Sequence, residues 1–239
     1  MIDILASLIS RVTARFIQHF FGRTFRCPVC HFVLAAVDAD GNGLLVCPVC
    51  GAVLEIENVY GHIVPVVLDM EVYRPQPKAR LHPLATHLPI GLFPFALLGA
   101  LVLLVTSIFV AAGFSGTLGG LLGRAPVLAD AVLVLLFVSV AFAIGTVASG
   151  LWDWAFRFRR RRYWQMRLKI AFSIIFLALG GLAIGLHAAG LVFVAGSGLM
   201  NFATPLGTIS ALLYIVALGV NMIVLATLGH LGGTLVFGR

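Results

Sequence analysis

The stretch LPIGLFPFALLGALVLLVTSIFVAA, residues Leu88 to Ala112, is 25 residues long and carries no charge. About 20 helical residues suffice to cross a hydrocarbon core about 30 Å thick, so this window predicts a transmembrane helix. Three more windows qualify, Ala131 to Trp152, Ile170 to Gly190 and Leu206 to Gly229. Leu191 to Phe202 is too short and too broken by glycine to span, and is expected to be a loop. Over the whole chain 61% of residues are hydrophobic and 10% charged, against about 45–50% and about 25% in soluble domains. A water-soluble fold is excluded.

The 16 basic and 9 acidic residues leave a net charge of +7, and the position of the charges decides between a membrane protein and a nucleic-acid binder. Fifteen of the 16 Lys and Arg fall on one side of the spans. They precede the first span, cluster between Arg157 and Lys169, or end the chain at Arg239; Arg124 stands alone. The positive-inside rule then puts both termini and the basic loop in the cytoplasm, with residues 113–127 and 191–205 outside. Trp152, Trp154, Tyr163 and Trp164 flank the basic loop as an interfacial aromatic belt would. No nucleic-acid partner is expected.

Residues 1–24 place Arg11, Arg15 and Gln18 on one helical face and Leu5, Leu8, Ile9, Val12, Phe16 and Phe20 on another, the pattern of an amphipathic helix lying in the interface or on a partner subunit. Small residues Ala141, Gly145 and Ser149 on the second span, with Gly181 and Gly185 on the third, are expected to bring helix backbones together. The fold class is therefore an all-α integral membrane protein, a four-helix up-and-down bundle over residues 82–239. The amphipathic helix and a small β zinc ribbon precede it, and a linker covers 61–81.

The ribbon rests on Cys27-Pro28-Val29-Cys30 and Cys47-Pro48-Val49-Cys50-Gly51, separated by 16 residues. Two such pairs predict a tetrahedral zinc site on Cys27, Cys30, Cys47 and Cys50, with iron as the alternative metal. Asp40-Gly41-Asn42-Gly43 is expected to turn a hairpin between Phe32–Leu34 and Leu44–Val46, and the alternation from Ala52 to Tyr60 predicts a strand. Residues 25–60 resemble a zinc ribbon and, more loosely, a rubredoxin. His31 and His62 are expected on the surface.

Four histidines bracket the spans. His82, His87 and His230 fall at the inner face, whereas His187 lies near the outer one. A bis-histidine b-type haem needs two imidazoles at one depth, which His87 and His230 satisfy, with Gly229, Gly232 and Gly233 allowing close approach and Arg157–Arg162 level with the propionates. Asp153, four residues before Arg157, reads as an ion-pair partner or as a carboxylate behind a ligating histidine.

Residues 82–239 resemble a bacterial membrane family known as domain of unknown function 2231, through His82-Pro-Leu-Ala-Thr-His-Leu-Pro-Ile-Gly91, Gly150-Leu-Trp-Asp-Trp154 and Gly229-His-Leu-Gly-Gly-Thr-Leu-Val-Phe237. The resemblance implies a four-helix membrane domain with His82, His87, Asp153 and His230 as its polar core. Some relatives are joined to cytochrome c-like modules. Two functions follow as expectations, the first leading and the second its alternative. One is a redox subunit binding one haem at the cytoplasmic face and serving quinone or a partner protein. The other is a non-redox structural or assembly subunit that docks a cytoplasmic partner through the ribbon. A transporter ranks third, because no ionisable residue lies mid-membrane. With no nucleophile-base pair or phosphate loop, catalysis by this chain alone is not expected.

Overall fold

A computed structural model describes residues 22–71, 81–114, 119–161 and 163–237. The expected interfacial helix therefore lies outside the described residues. Contacts divide the chain into two compact units. A helical unit comprises Lys78–Asp153 and Ile170–Gly229; a sheet unit comprises Met1–Pro77, Trp154–Lys169 and His230–Arg239.

Among the described residues there are four long helices, α1 (Leu81–Ala111), α2 (Ala125–Arg157), α3 (Trp164–Ala188) and α4 (Pro205–Phe237). A single turn at Gly119–Leu122 precedes α2. All four are long and apolar enough to cross a membrane, and each outlasts the uncharged window that announced it at one end or both. Within the helical unit they share one core, in which Phe93, Leu103, Val132, Leu136, Phe176, Tyr214 and Leu218 are fully enclosed. The rings of Phe93 and Phe176 meet with centroids 5.3 Å apart. Only 17% to 44% of each apolar window is buried in the protein. The remaining apolar surface, with Phe95, Phe137, Ile174 and Ile223 outward, suits lipid and not water.

Of the small-residue stripes only Ser149 meets a neighbouring helix, lying 3.1 Å from His82 of α1. Ala141, Gly145, Gly181 and Gly185 are exposed, and a methyl built on any of those three glycines meets nothing within 4 Å. Close packing instead uses Gly99, where a Cβ would come 2.6 Å from Val132, and Gly180, where it would come 2.6 Å from Val140. One-sequence spacing finds faces rich in small residues but not which face a neighbour takes.

Polar groups inside the helical unit are spent on backbone. Pro89 has no N–H, so the carbonyl of Ala85 loses its helical donor; the Thr146 hydroxyl of α2 donates to it at 2.9 Å. Asn221, fully buried, donates from Nδ2 to the carbonyl of Phe176 at 3.1 Å. Beyond α3, Leu191–Phe202 forms the expected loop, closed by a bridge between Phe193 and Met200 and tied to α1 where the Met200 N–H donates to Ser107 Oγ at 2.8 Å.

The sheet unit holds β1 (Thr24–Arg26) paired with β2 (Val33–Ala35), and β3 (Leu44–Val46), β4 (Ala52–Val59) and β5 (His62–Met70) in order β3-β4-β5, all antiparallel. Two expectations change. The Asp40–Gly43 turn joins strands of different sheets, because β2 pairs back with β1; Asp40 Oδ1 instead accepts the N–H groups of Asn42 and Leu44, each at 2.9 Å. The segment expected as linker from residue 61 begins with β5. Tyr60 (φ 50°) and Gly61 (φ 84°) make the two-residue turn with both residues left-handed that matches the twist of a hairpin. Pro65 is tolerated because β5 is an edge strand.

Candidate metal centre and its docking segment

The two cysteine pairs sit in matching turns. The Cys27 carbonyl accepts the His31 N–H at 2.9 Å and the Cys47 carbonyl accepts the Gly51 N–H at 3.1 Å. The Cys27 N–H donates to Phe32 O at 2.9 Å and the Cys47 N–H to Ala52 O at 2.8 Å. The residue after each second cysteine is left-handed, Gly51 at φ 88° and His31 at φ 60°. Glycine takes that conformation freely, and histidine takes it at a cost.

These turns gather all four sulfurs within 4.8 Å of one another, with Cys27 Sγ 3.6 Å from Cys50 Sγ and Cys30 Sγ 3.5 Å from Cys47 Sγ. A zinc–sulfur bond of about 2.3 Å makes the edge of a tetrahedron about 3.8 Å, so the cluster fits a four-thiolate metal ion. Burial pushes the Cys30 thiol up to about 11 and the Cys47 thiol higher still. Binding a metal therefore displaces protons from the buried sulfurs. His31 and His62 are exposed, as expected.

The cysteine cluster does not stand alone. Cys27, Cys47, Leu34, Leu45 and Leu54 share one core with Phe158 and Tyr163 of the basic segment and Leu235 of α4. Tyr163 Oη donates to the carbonyl of Val46, next to Cys47, at 2.8 Å, and Gln165 Nε2 donates to Val33 O at 2.9 Å. Tyr163 belongs to this core at 2% exposure, Trp154 packs against it half-buried, and Trp164 is buried at 5%, so these three do not form an aromatic belt; Trp152, at 61%, stays outside.

Two carboxylates complete the docking. Asp38 Oδ2 accepts the N–H of Trp164, the first residue of α3, at 2.9 Å, and Oδ1 pairs with Arg167 at 2.9 Å. This is an N-cap supplied from another part of the chain, at the helix end where negative charge is favoured. Burial still pushes the Asp38 carboxyl above its ordinary range, against the opposing pull of the Trp164 N–H and Arg167. Glu71 receives Arg161 at 2.8 Å and Arg159 at 3.0 Å. Neither acid stands in a short motif. Their only sequence signal is that charges are scarce, and scarce charges near a basic run are candidates for pairing with it.

The histidines are placed differently. His82 Nδ1 lies 3.1 Å from both Thr146 O and Ser149 Oγ, and its ring packs on Gly150, so this side chain serves the contact between α1 and α2. His87 is exposed on α1 in the helical unit, and His230 is exposed on α4 in the sheet unit. His187 faces the bundle, its Nδ1 3.3 Å from Tyr214 Oη and its ring centroid 4.6 Å from that of Phe193.

The fold and site thus define a class of chain with four helices long and apolar enough to cross a membrane and four cysteines placed to hold a metal ion. No protein-family model, curated protein or solved structure matches the chain.

Proposed function

We propose that this chain is a structural or assembly subunit of a bacterial inner-membrane complex, in which zinc on Cys27, Cys30, Cys47 and Cys50 keeps a ribbon folded against the segment joining the second and third spans. One observation carries this reading. The metal ligands and the joining segment share a single buried core. Four thiolates fill a zinc tetrahedron and leave no open position, which is the pattern of a metal that holds structure. On the positive-inside count the ribbon and both termini face the cytoplasm. The family resembling residues 82–239 supplies the same four-helix frame.

The test uses the full chain in detergent. About one zinc per chain is expected. Stripping it with a chelator should open residues 158–167 to protease, and zinc should restore protection. Unchanged protection without metal would overturn the proposal. So would b-type haem bands in a reduced-minus-oxidised spectrum that vanish in His87→Ala and His230→Ala, which would make the chain an electron carrier.

A further inference from the structure

The four sulfurs of the cluster differ in access. Cys27 and Cys47 are fully buried, whereas Cys30 and Cys50 are only half-buried. Each Cys-x-x-Cys turn thus holds one reachable cysteine and one enclosed cysteine. The close sulfur contacts run between the turns: half-buried Cys50 meets buried Cys27 at 3.6 Å, and half-buried Cys30 meets buried Cys47 at 3.5 Å. Every reachable sulfur therefore has an enclosed partner from the other turn, at or near the attack distance of about 3–3.5 Å. An accessible cysteine beside a resolving one is the arrangement that supports reversible oxidation.

The direction of these contacts matters for the fold. Cys27 and Cys30 lie between β1 and β2, Cys47 and Cys50 lie between β3 and β4, and the two pairs of strands belong to separate sheets. A bond from one turn to the other ties the sheets together without a metal ion; a bond inside one turn does not. Cys27 and Cys47 also share their core with Phe158 and Tyr163. Bonds between the turns therefore keep the surface on which that segment is seated.

We propose that the cluster is a site of peroxide oxidation, at which two disulfides, Cys27–Cys50 and Cys30–Cys47, replace a bound metal ion as the link between the sheets. The inference rests on the four-thiolate reading above. The Cys30 thiolate attacks one oxygen of hydrogen peroxide; the O–O bond breaks, hydroxide leaves, and Cys30 becomes a sulfenic acid. The Cys47 thiolate then attacks the Cys30 sulfur, so that the S–S bond forms, the S–O bond breaks and a second hydroxide leaves. Cys50 and Cys27 repeat the two steps. Four thiolates give up four electrons, and two peroxides become four hydroxides. With every thiolate consumed, the cluster has no ligand left for zinc.

The test uses the full chain in detergent, loaded with zinc and freed of reductant. Hydrogen peroxide is added in steps while a coloured zinc indicator reads the release, which should be complete at two peroxides per zinc. Remaining thiols are blocked with iodoacetamide. Endoproteinase Asp-N, cutting before Asp38 and Asp40, then separates the two cysteine pairs. The expected product is two linked peptides from one chain, as shown by mixing isotopically light and heavy protein, with fragment spectra joining Cys27 to Cys50 and Cys30 to Cys47. Residues 158–167 should stay protected from protease in the oxidised, zinc-free chain, and a dithiol reductant with zinc should restore the starting state. Disulfides within either turn, links between chains, sulfinic acids, thiols that survive the peroxide or loss of that protection would overturn the proposal. A chain that carries no zinc yet forms the same two disulfides would defeat the structural-zinc reading and support this one.

Discussion

Replacing Asp38 with alanine tests whether a carboxylate of the ribbon fixes the start of α3. Its side chain is 1% exposed, and it accepts the Trp164 N–H and pairs with Arg167, which is 46% exposed. Leaving the buried N–H unsatisfied costs about 1–3 kcal/mol, a range that already includes the lost cap of about 1 kcal/mol. The ion pair adds at most about 1 kcal/mol, because the guanidinium can return to water. Relief from burying a charge offsets part of this, so the net loss should be about 2 kcal/mol. For a chain of this size that lowers Tm by roughly 4–8 °C. Asp38→Asn keeps an acceptor for Trp164 and should lose about half as much. The pH dependence has a definite sign. Burial raises the folded carboxyl above its unfolded value, so the stability linked to it is complete below the unfolded value and is lost as pH rises through the folded one. The Tm advantage of the natural chain over Asp38→Asn should therefore be larger near the carboxyl's ordinary value of 3.8 than at pH 7. Melting in detergent, with protease mapping of residues 158–167, measures both. An Asp38→Ala variant within about 1 °C of the natural chain, or an advantage that shrinks in acid, would refute the account.

Three other changes follow from the geometry. His31→Gly should stabilise the cysteine-bearing sheets by about 1 kcal/mol because it removes a left-handed non-glycine residue, while Gly51→Ala should cost at least that much; thermal melting in detergent ranks the two against the natural chain. Gly180→Ala places a methyl 2.6 Å from Val140 and should cost about 1–3 kcal/mol, whereas Gly181→Ala meets nothing and should be neutral or slightly stabilising, a contrast visible in detergent melting. Thr146→Val removes the donor to the Ala85 carbonyl that Pro89 leaves without a helical partner, and should cost about 0.5–1.5 kcal/mol; a Pro89→Ala background, which restores that helical N–H, should shrink the loss.

The long apolar helices and the cysteine cluster are legible in the sequence because both are local. An uncharged window is complete within its own residues, and a Cys-x-x-Cys turn brings its two sulfurs together whatever the rest of the chain does. Pairings between distant residues are not legible in that way. Phe32–Leu34 and Leu44–Val46 look like partners across Asp40–Gly43, yet β2 returns to β1 and β3 takes β4. Strand β5 hides behind Pro65, which demotes a run of β-branched residues unless the strand is known to be an edge. The docking of Trp164 and Arg167 on Asp38 joins residues more than 120 positions apart, and no periodicity reports it.

That docking also changes what the basic segment is for. Arginines between the second and third spans satisfy the positive-inside rule by number alone, and any order of Lys and Arg would serve. Arg159, Arg161 and Arg167 do more, because each meets a ribbon carboxylate at 2.8 to 3.0 Å. Arg159 and Arg160 also hold the left-handed conformation that non-glycine residues avoid, at φ 50° and 58°. A loop selected for charge alone would relax to an ordinary turn. Here the strain is offset by the core beneath it, where Phe158 and Tyr163 pack beside the cysteines, their rings 6.1 Å apart. The same residues thus answer two demands, the charge count of the segment and its seating on the core that holds the cysteines. Replacing all three arginines with lysine separates the demands, since it keeps the charge count and removes the planar guanidinium fork.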